Sequence, residues 1–407
     1  MTDIGTLRLP RQIQYGYGAR HGFSDAVSAM GTRVFVVVDP FLATTDFFVE
    51  AMVSLDRCGV VTQVYTGVLP ELPVHSLEEA ALFAKQFAPN SVVGWGGGSA
   101  LDAAKLVALL VTHGGELSHY YGENAVPGPI LPLLAVPTTA GTGSEATPVA
   151  VISDSNRELK VGISSPHLIP RSAIVDPALT MGMPAVVTAH SGIDALVHAI
   201  ESYTAAKLPV IHGARQPVFV GRNTLCDPLS LEAIRLIGSS IETAVSVPGD
   251  SDARASMARG SLLAGMAFGN TGTHLSHAIQ YPLGALTHTP HGLGTGLMLP
   301  YVMEMCVQVI PDRVAHIGEA LGVGADPFAA IDRVSEIASN IGIPTSLAEL
   351  EIREGDLGKI TKLTLASRRL TTISPIQADL DTVGRIVSAA YAGDRTLLRS
   401  KSTKGAL

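Results

Sequence analysis

Residues 91–111, SVVGWGGGSALDAAKLVALLV, join a short apolar run, a glycine turn and a longer helix-forming run. Two further strand-and-helix pairs come before this segment. Their predicted strands cover 32–40 and 60–66, and their predicted helices cover 43–58 and 76–87. Buried strands that alternate with helices form a mostly parallel sheet, because each crossover helix packs on a face of that sheet. We therefore predict an α/β domain over residues 1–184, with an N-terminal strand or hairpin within 5–17.

The glycine turn is typical of a nucleotide-binding loop. Gly96, Gly97 and Gly98 have no Cβ atoms, so a pyrophosphate can approach the backbone at the N-terminus of the following helix. We expect Ser99 to cap this helix and to donate to a phosphate oxygen. Asp39 ends the first predicted strand, where a carboxylate would accept from ribose hydroxyls and repel a 2′-phosphate, which favours NAD over NADP. A plain tight turn at the glycines and a local cap at Asp39 are the alternatives.

A second hydroxyl-rich turn follows a strand in LPLLAVPTTAGTGSE, residues 131–145. Thr138, Thr139, Thr142 and Ser144 could donate to phosphate or ribose oxygens there. Hydroxyl groups in turns also serve as local caps, which is the alternative for these residues.

Strand patterns largely disappear after about Pro184, and helical spacing of apolar residues replaces them. We predict a helical metal-binding and substrate domain over 185–407. Within it, residues 205–228 form a Pro- and Gly-rich loop that is long for a passive connection. This loop holds Lys207, Arg215 and Arg222.

Residues 267–300 contain four histidines and no Lys, Arg, Asp or Glu. The histidines are His274, His277, His288 and His291. In a second stretch, Asp194 and His198 are four residues apart within a predicted helix, so they share one face. One carboxylate and several neutral imidazoles suit a divalent transition metal that acts as a Lewis acid. Core histidines and an ordinary Asp–His hydrogen bond are the alternatives.

The composition excludes several other classes of protein. The net charge is −8 and no Lys/Arg-rich run occurs, so neither nucleic acid nor an anionic membrane is an expected partner. The N-terminus MTDIGTLRLP lacks the pattern of a signal peptide, and the apolar runs are too short to span a bilayer. The three cysteines are scattered. We therefore expect a soluble protein of the cytoplasm.

Four motifs together resemble the iron-containing, or group III, alcohol dehydrogenase family, in that family's order and over about residues 8–395. They are GGGSALDAAK (96–105), PTTAGTGSE (137–145), DALVHAIESY (194–203) and HAIQYPLGALTHTPHG (277–292). The resemblance implies a dehydroquinate synthase-like fold, in which an α/β nucleotide-binding domain precedes a helical domain and the active site lies in the cleft. It also implies reversible, NAD(P)-linked oxidation of a small alcohol to an aldehyde or ketone at a divalent metal. Fe(II) is the expected ion, with Zn(II) as the alternative, and the assembly is a homodimer or a larger homo-oligomer.

The family's residues carry over onto this sequence where its motifs match. The implied metal ligands are Asp194, His198, His277 and His291. The implied cofactor-binding residues are Gly96, Gly97, Gly98, Ser99, Asp102, Thr138, Thr139, Thr142 and Lys160. Asp39, Ser144 and Leu179 complete our set of candidate cofactor-binding residues. His274 and His288 match no ligand position, and we assign His288 to the pocket. Tyr281 and His288 are the candidates for contacting substrate or relaying a proton.

One departure from the family pattern favours a second branch. Many members carry a second His four residues after the third ligand, where this chain has Tyr281. A phenol can hydrogen-bond a substrate oxygen, but it does not replace imidazole as a proton relay near neutral pH. The same pattern resembles the hydroxyacid–oxoacid transhydrogenases, which act on 4-hydroxybutyrate-type acids, although the segment from Gly284 to His291 is shorter here. In that alternative, Arg215 or Arg222 would bind the substrate carboxylate.

Two further alternatives are a lyase and a silent binding protein. A dehydroquinate synthase-type lyase would need clustered Lys/Arg for a phosphorylated substrate, and 260–300 has none. The intact ligand quartet and glycine loop argue against a catalytically silent metal- and nucleotide-binding protein.

Overall fold

The structure is a computed structural model, and it describes residues 4–209 and 215–399. The strands are β1 (Gln12–Tyr15), β2 (Arg33–Val38), β3 (Val61–Tyr65), β4 (Ser91–Gly96), β5 (Gly122–Glu123), β6 (Leu133–Pro137), β7 (Val149–Ile152), β8 (Val161–Ser164) and β9 (Ser172–Val175). The helices among them are α1 (Phe23–Ser28), α2 (Asp46–Arg57), α3 (Val74–Phe87) and α4 (Gly98–His113).

The main sheet has the order β1-β9-β6-β4-β2-β3, and every pairing in it is parallel. Its central strands are apolar on both faces. Val34 to Val38 are fully buried, as are Val92 and Val93. Helix α4 is buried along most of its length, which explains why its sequence is apolar nearly all round. The predicted parallel α/β part of the fold is confirmed.

The hairpin that we considered for residues 5–17 does not form among the described residues. Only Gln12–Tyr15 is a strand, and it pairs in parallel with β9 at the edge of the sheet. The alternation of apolar and polar residues in this segment indicates which side chains are buried. It does not indicate which distant strand pairs with the segment.

Three neighbouring strands end at the edge of the sheet where the predicted cofactor-binding loops begin. β2, β4 and β6 lie side by side and are followed by Asp39, Gly97 and Thr138. Parallel strands end at the same edge, so these three loops meet there. A small sheet of order β5-β8-β7, in which β7 and β8 are antiparallel, contacts α4 through β7.

After residue 184 the described chain is mostly helical. Its helices there are α5 (Ala185–Thr204), α6 (Asp227–Ser246), α7 (Ser251–Thr271), α8 (Leu275–Thr287), α9 (His291–Val307), α10 (Pro311–Ala320), α11 (Pro327–Asn340), α12 (Leu357–Ala366), α13 (Arg368–Ile373) and α14 (Leu380–Ala392). Helix α5 lies at the centre against α6, α7 and α9, and it is buried over nearly its whole length. No helix in 4–209 or 215–399 is long and apolar enough to cross a membrane. The division at residue 184 stays a prediction.

Candidate active site

Three helices carry the predicted metal ligands. Helix α5 presents Asp194 and His198 one turn apart, α8 carries His277, and α9 begins at His291. Ligand atoms of Asp194, His277 and His291 all lie within 4.8 Å of one another. His198 falls outside that group of three, but its Nε2 lies 3.7 Å from Asp194 Oδ2. The structure therefore brings the predicted quartet together around one carboxylate.

The donor set fits a divalent metal ion. His277 Nε2 and His291 Nε2 lie 3.8 Å and 3.9 Å from Asp194 Oδ1. Ligand atoms in a tetrahedral site with bonds of about 2.1 Å are separated by about 3.4 Å, so small shifts would complete the coordination. His277 Nε2 is also buried without a hydrogen-bond partner among the described residues. An orphaned nitrogen aimed at a carboxylate is expected where a metal binds.

The protonation states of the quartet favour a metal as well. Burial lowers the pKa of His198 to about 4 and also lowers the pKa of His291. Burial favours the protonated form of Asp194, but the surrounding histidines, His198 first, outweigh it and hold the pKa of Asp194 below its ordinary value. His198 and His291 are therefore neutral imidazoles and Asp194 is an ionised carboxylate near neutral pH, the forms that bind metals.

Glu201 is a functional residue that the sequence analysis missed. His277 Nδ1–H donates to Glu201 Oε2 at 2.7 Å, and the backbone N–H groups of His274 and Ser276 donate to the same carboxylate at 2.7 and 2.6 Å. Burial favours protonated Glu201, but His274 and the His277 hydrogen bond outweigh it, so the pKa of Glu201 lies below its ordinary value. The signal was its spacing, because residues 194, 198 and 201 share one helix face.

The other ligands are held by their neighbours too. His198 Nδ1 lies 3.3 Å from the Gly141 carbonyl oxygen, and its ring stacks on Phe268 with 4.1 Å between centroids. Thr295 Oγ1 donates to Asp194 Oδ1 at 2.8 Å. These contacts fix which atom of each ligand faces the cluster.

The glycine loop and the threonine turn pack directly against each other. A Cβ on Gly97 would lie 3.2 Å from Thr139 Cγ2, and a Cβ on Gly98 would lie 2.7 Å from Thr142 Cγ2. A side chain at Gly98 would therefore collide with Thr142, and one at Gly97 would pack tightly against Thr139. The cap predicted at Ser99 is wrong, because Gly97 is the N-cap of α4 and Ser99 lies inside the first turn. Its exposed hydroxyl remains available at the helix N-terminus.

Asp102 and Ser144 form a buried network behind the loop. Ser144 Oγ donates to Asp102 Oδ1 at 2.6 Å, and the Val151 N–H donates to Oδ2 at 3.0 Å. The fully buried Lys105 ammonium donates to Ser144 Oγ at 2.8 Å. These bonds tie α4 to the threonine turn and to β7, although Asp102 and Ser144 also line the cavity.

The remaining predicted cofactor residues occupy three places. Asp39 Oδ1 accepts the Phe41 N–H at 2.9 Å, so it caps its own turn, and its backbone lies beside Gly96. Leu179 is 9% exposed and packs in the core that contains Trp95. Lys160 lines the cavity and its Nζ lies 2.5 Å from Glu71 Oε2.

A cavity of about 240 Å³ connects these groups. It is lined by the metal quartet, by Gly98, Ser99, Asp102, Thr142, Ser144 and Lys160 of the predicted cofactor set, and by Tyr281, Phe219, Phe268 and Arg369, among others. Tyr281 Oη makes no hydrogen bond to any residue in the described ranges. The predicted pocket residue His288 is exposed and lines a smaller neighbouring cavity of about 90 Å³ with Tyr281 and His291. His274 lies outside the cluster and its ring contacts Thr204, as expected for a core histidine.

The long loop contributes to the cavity in an unexpected way. Residues 210–214 of the predicted functional loop lie outside the described residues. The lining does not include Arg215 or Arg222, whereas Phe219 of the same loop and Arg369 of α13 are part of it. Arg369 gave no signal in the sequence, because it follows His291 by 78 residues and only the packing of α13 brings it to the cavity.

Comparisons with known proteins agree with this architecture. The family description "Iron-containing alcohol dehydrogenase" matches residues 10–177, and "Fe-containing alcohol dehydrogenase family, C-terminal" matches 188–391. Long-chain-alcohol dehydrogenase 1 of Geobacillus thermodenitrificans is 35% identical over 96% of this chain and 98% of that protein. The mitochondrial hydroxyacid-oxoacid transhydrogenase of Rattus norvegicus is 33% identical over 92% of this chain and 87% of that protein.

Solved structures of oxidoreductases have the same fold as this chain. A 1,3-propanediol oxidoreductase superposes with a TM-score of 0.88 at 28% identity, over 95% of this chain and 100% of that chain. A sulfoacetaldehyde reductase from Bifidobacterium kashiwanohense in complex with NAD+ superposes with a TM-score of 0.84 at 27% identity, over 97% and 100%.

The fold and these matches define an oxidoreductase of the alcohol dehydrogenase type. The chain belongs to the iron-containing alcohol dehydrogenase family. The family, the fold and the class of enzyme that the four motifs predicted are confirmed. The predicted roles of individual site residues stay predictions.

Proposed function

We propose that the protein interconverts small alcohols with aldehydes or ketones, and that hydride passes to and from NAD at a divalent metal bound by Asp194, His198, His277 and His291. Primary alcohols, diols and ω-hydroxyacids are the substrate classes. The observation that carries the proposal is the orphaned His277 Nε2, which faces Asp194 in a cavity that also reaches the glycine loop. The similarity to a diol oxidoreductase and to a reductase bound to NAD+ supports it.

The chemistry of the donor set suits Fe(II), and Zn(II) is the alternative. When bound, a divalent ion supplies Lewis acidity that lowers the pKa of an alcohol hydroxyl, and NAD supplies the hydride acceptor. The chain holds this dication with the Asp194 carboxylate and with Glu201, whose charge lies directly behind His277. Two buried carboxylates beside neutral imidazoles balance a charge of +2, so the loaded site is close to neutral.

The cofactor residues have separate tasks. The backbone at Gly96–Ser99 offers N–H groups at the N-terminus of α4 to a pyrophosphate, and the threonine turn closes over it. Asp39 lies at the end of β2, where its charge favours a ribose with a free 2′-hydroxyl over a 2′-phosphate. Lys160 binds the nicotinamide-side ribose, for which it exchanges its contact with Glu71.

Proton movement uses the side of the cavity that opens to solvent. Tyr281 lines both the main and the smaller cavity, and its ring centroid lies 6.3 Å from that of His291. Its Oη hydrogen-bonds the substrate oxygen without relaying the proton. The proton that alcohol oxidation releases reaches solvent past His288, which lines the smaller cavity. Phe268, stacked on His198, excludes water from the opposite side.

The test is NADH formation by protein loaded anaerobically with Fe(II) and, in a separate sample, with Zn(II). Primary alcohols, diols and 4-hydroxybutyrate are offered, each with and without a 2-oxo acid. We expect steady NADH release that His277→Ala abolishes and that replacement of the exposed His119 by Ala leaves unchanged. Absence of NADH with every alcohol and every metal would overturn the proposal.

The second candidate is a hydroxyacid–oxoacid transhydrogenase, which the rat relative favours. In that case 4-hydroxybutyrate turns over only when a 2-oxo acid is present, and no net NADH accumulates. We further propose a cytoplasmic homodimer or larger homo-oligomer, which sedimentation of the purified chain tests.

A further inference from the structure

Arg369 stands where the main cavity meets a larger one. A cavity of about 680 Å³ opens between the small sheet and helices α12 and α13, and it shares Lys160, Tyr281 and Arg369 with the main cavity. A molecule that enters from this outer cavity passes Arg369 before it reaches the metal quartet.

The Arg369 guanidinium has no anionic partner in the described ranges 4–209 and 215–399. It makes no ion pair or hydrogen bond there, and its Cζ lies 4.7 Å from the centroid of the Phe219 ring. Two neighbouring cations are engaged, since Lys160 contacts Glu71 and Arg157 Nε lies 3.8 Å from Asp154. Arg368 lines the outer cavity but not the main one. A partly buried guanidinium with five unused donors favours an anion from outside the chain.

The contact with Phe219 fixes the position of the guanidinium. Phe219 is 2% exposed and belongs to a small core with Ala205, Val218 and Ile373. Ile373 is the last residue of α13, the helix that carries Arg369. The aromatic platform and the arginine therefore share one rigid support, which reduces the entropy lost when an anion binds.

We propose that Arg369 binds an anionic group of the substrate, so that the preferred substrates are short alcohols and aldehydes with a carboxylate or sulfonate remote from the reacting carbon. This inference rests on the proposed function, because it assigns the reacting end of the substrate to the metal quartet. A planar guanidinium binds both anions through paired N–H donors. Arg369 and the metal quartet line the same cavity, so a substrate that contacts both must be short and must carry one polar group at each end.

The first experiment compares substrates on the metal-loaded holoenzyme with NAD+. The neutral substrates are 1-butanol and 1,4-butanediol, and the anionic ones are 4-hydroxybutanoate and 2-hydroxyethanesulfonate. We expect a higher kcat/KM for at least one anionic substrate, and the two anionic arms identify the preferred group. Arg369→Ala should lower kcat/KM for that substrate about 30-fold, the loss expected for a charge-assisted pair, and for neutral alcohols less than about threefold.

Two variants sharpen this comparison. Arg369→Lys keeps the charge but loses the paired donors, so its kcat/KM for the anionic substrate should lie between those of the wild type and Arg369→Ala. Lys362→Ala removes one charge from the exposed surface of α12, outside both cavities, and should change no substrate more than about threefold. Equal losses of neutral and anionic substrates in Arg369→Ala, or no preference in the wild type, would overturn the inference.

A binding measurement separates this inference from the proposed function. Calorimetry gives the dissociation constant of pentanoate, an unreactive carboxylate, for the metal- and NAD+-loaded protein. We expect Arg369→Ala to raise it about 10-fold or more, while the dissociation constant of NAD+ stays constant. Unchanged pentanoate affinity would contradict the role of Arg369 even if alcohols turn over. NADH formation from neutral alcohols alone would leave the proposed function intact and overturn only the substrate class.

Discussion

Glu201 Oε2 lies 2.7 Å from His277 Nδ1, and this hydrogen bond leaves Nε2 of the same ring facing Asp194. The carboxylate also accepts the backbone N–H groups at the start of α8, so it positions the helix as well as the ring. A carboxylate behind a ligating imidazole fixes its tautomer and raises its basicity. Glu201 is therefore a positioning residue of the candidate metal site.

We predict that Glu201→Gln weakens metal binding about 10- to 100-fold, because the amide donates poorly matched hydrogen bonds and carries no charge. Competition with a chelator measures the metal dissociation constant. The matched control is Glu304→Gln, a buried carboxylate that pairs with Arg395 and Arg399 away from the site. The control should lower stability and leave metal affinity unchanged. Equal metal affinity in Glu201→Gln and the wild type would contradict this role.

The contact of Gly98 with the threonine turn predicts a cofactor-binding defect. A Cβ at Gly98 would lie 2.7 Å from Thr142 Cγ2, so Gly98→Ala must shift the Thr142 side chain or one of the two loops. We expect the NAD+ dissociation constant to rise about tenfold, by fluorescence titration. Thr142→Ser removes Cγ2 and keeps the hydroxyl, so it should recover part of the loss in the double variant. A Cβ at Gly358 would meet open space, so Gly358→Ala should leave the NAD+ dissociation constant unchanged. A similar rise in Gly358→Ala would rule out the steric explanation.

Glu145 predicts a pH dependence of stability. Burial raises the pKa of Glu145 from 4.5 to about 7, so the folded protein retains a proton that the unfolded chain has released between these pH values. The free energy of unfolding therefore falls as the pH rises from about 4.5 to 7 and stays lower above it. Glu145→Gln should be similar to the wild type near pH 4 and more stable above pH 7, by up to about 3 kcal/mol for 2.5 pKa units.

Urea unfolding of both proteins from pH 4.5 to 8 measures this difference. A stability difference that is independent of pH would show that Glu145 titrates at the same pH in the folded and unfolded states.

The arrangement around the parallel sheet could be predicted from the sequence. Asp39, Gly96 and Thr138 each end or directly follow a buried strand, and parallel strands end at one edge, so local patterns were enough to place them together. The shared face of Asp194 and His198 followed from helical periodicity in the same way. The assembly of the full quartet relied on family resemblance, because its members come from three helices.

The features that could not be predicted from the sequence depend on the exact backbone path or on contacts between distant residues. Ser99 is not the cap, because the backbone at Gly97 already starts the helix. Arg369 reaches the cavity only because Ile373 and Phe219 share a core, and no local pattern indicates that contact. Arg215 and Arg222 carry the charge that a substrate carboxylate would need, and they lie in a long loop. Charge and loop length do not show whether a side chain reaches the cavity, and neither arginine lines it.

The most direct test of the central claim is a titration of metal-free protein with Fe(II) under anaerobic conditions, with bound metal and the initial rate of NADH formation measured in the same samples. We predict a rate that rises in proportion to bound metal and saturates at one ion per chain, with neither binding nor NADH formation in Asp194→Ala. Full activity of the metal-free protein, or tight stoichiometric binding that survives Asp194→Ala, would contradict the account.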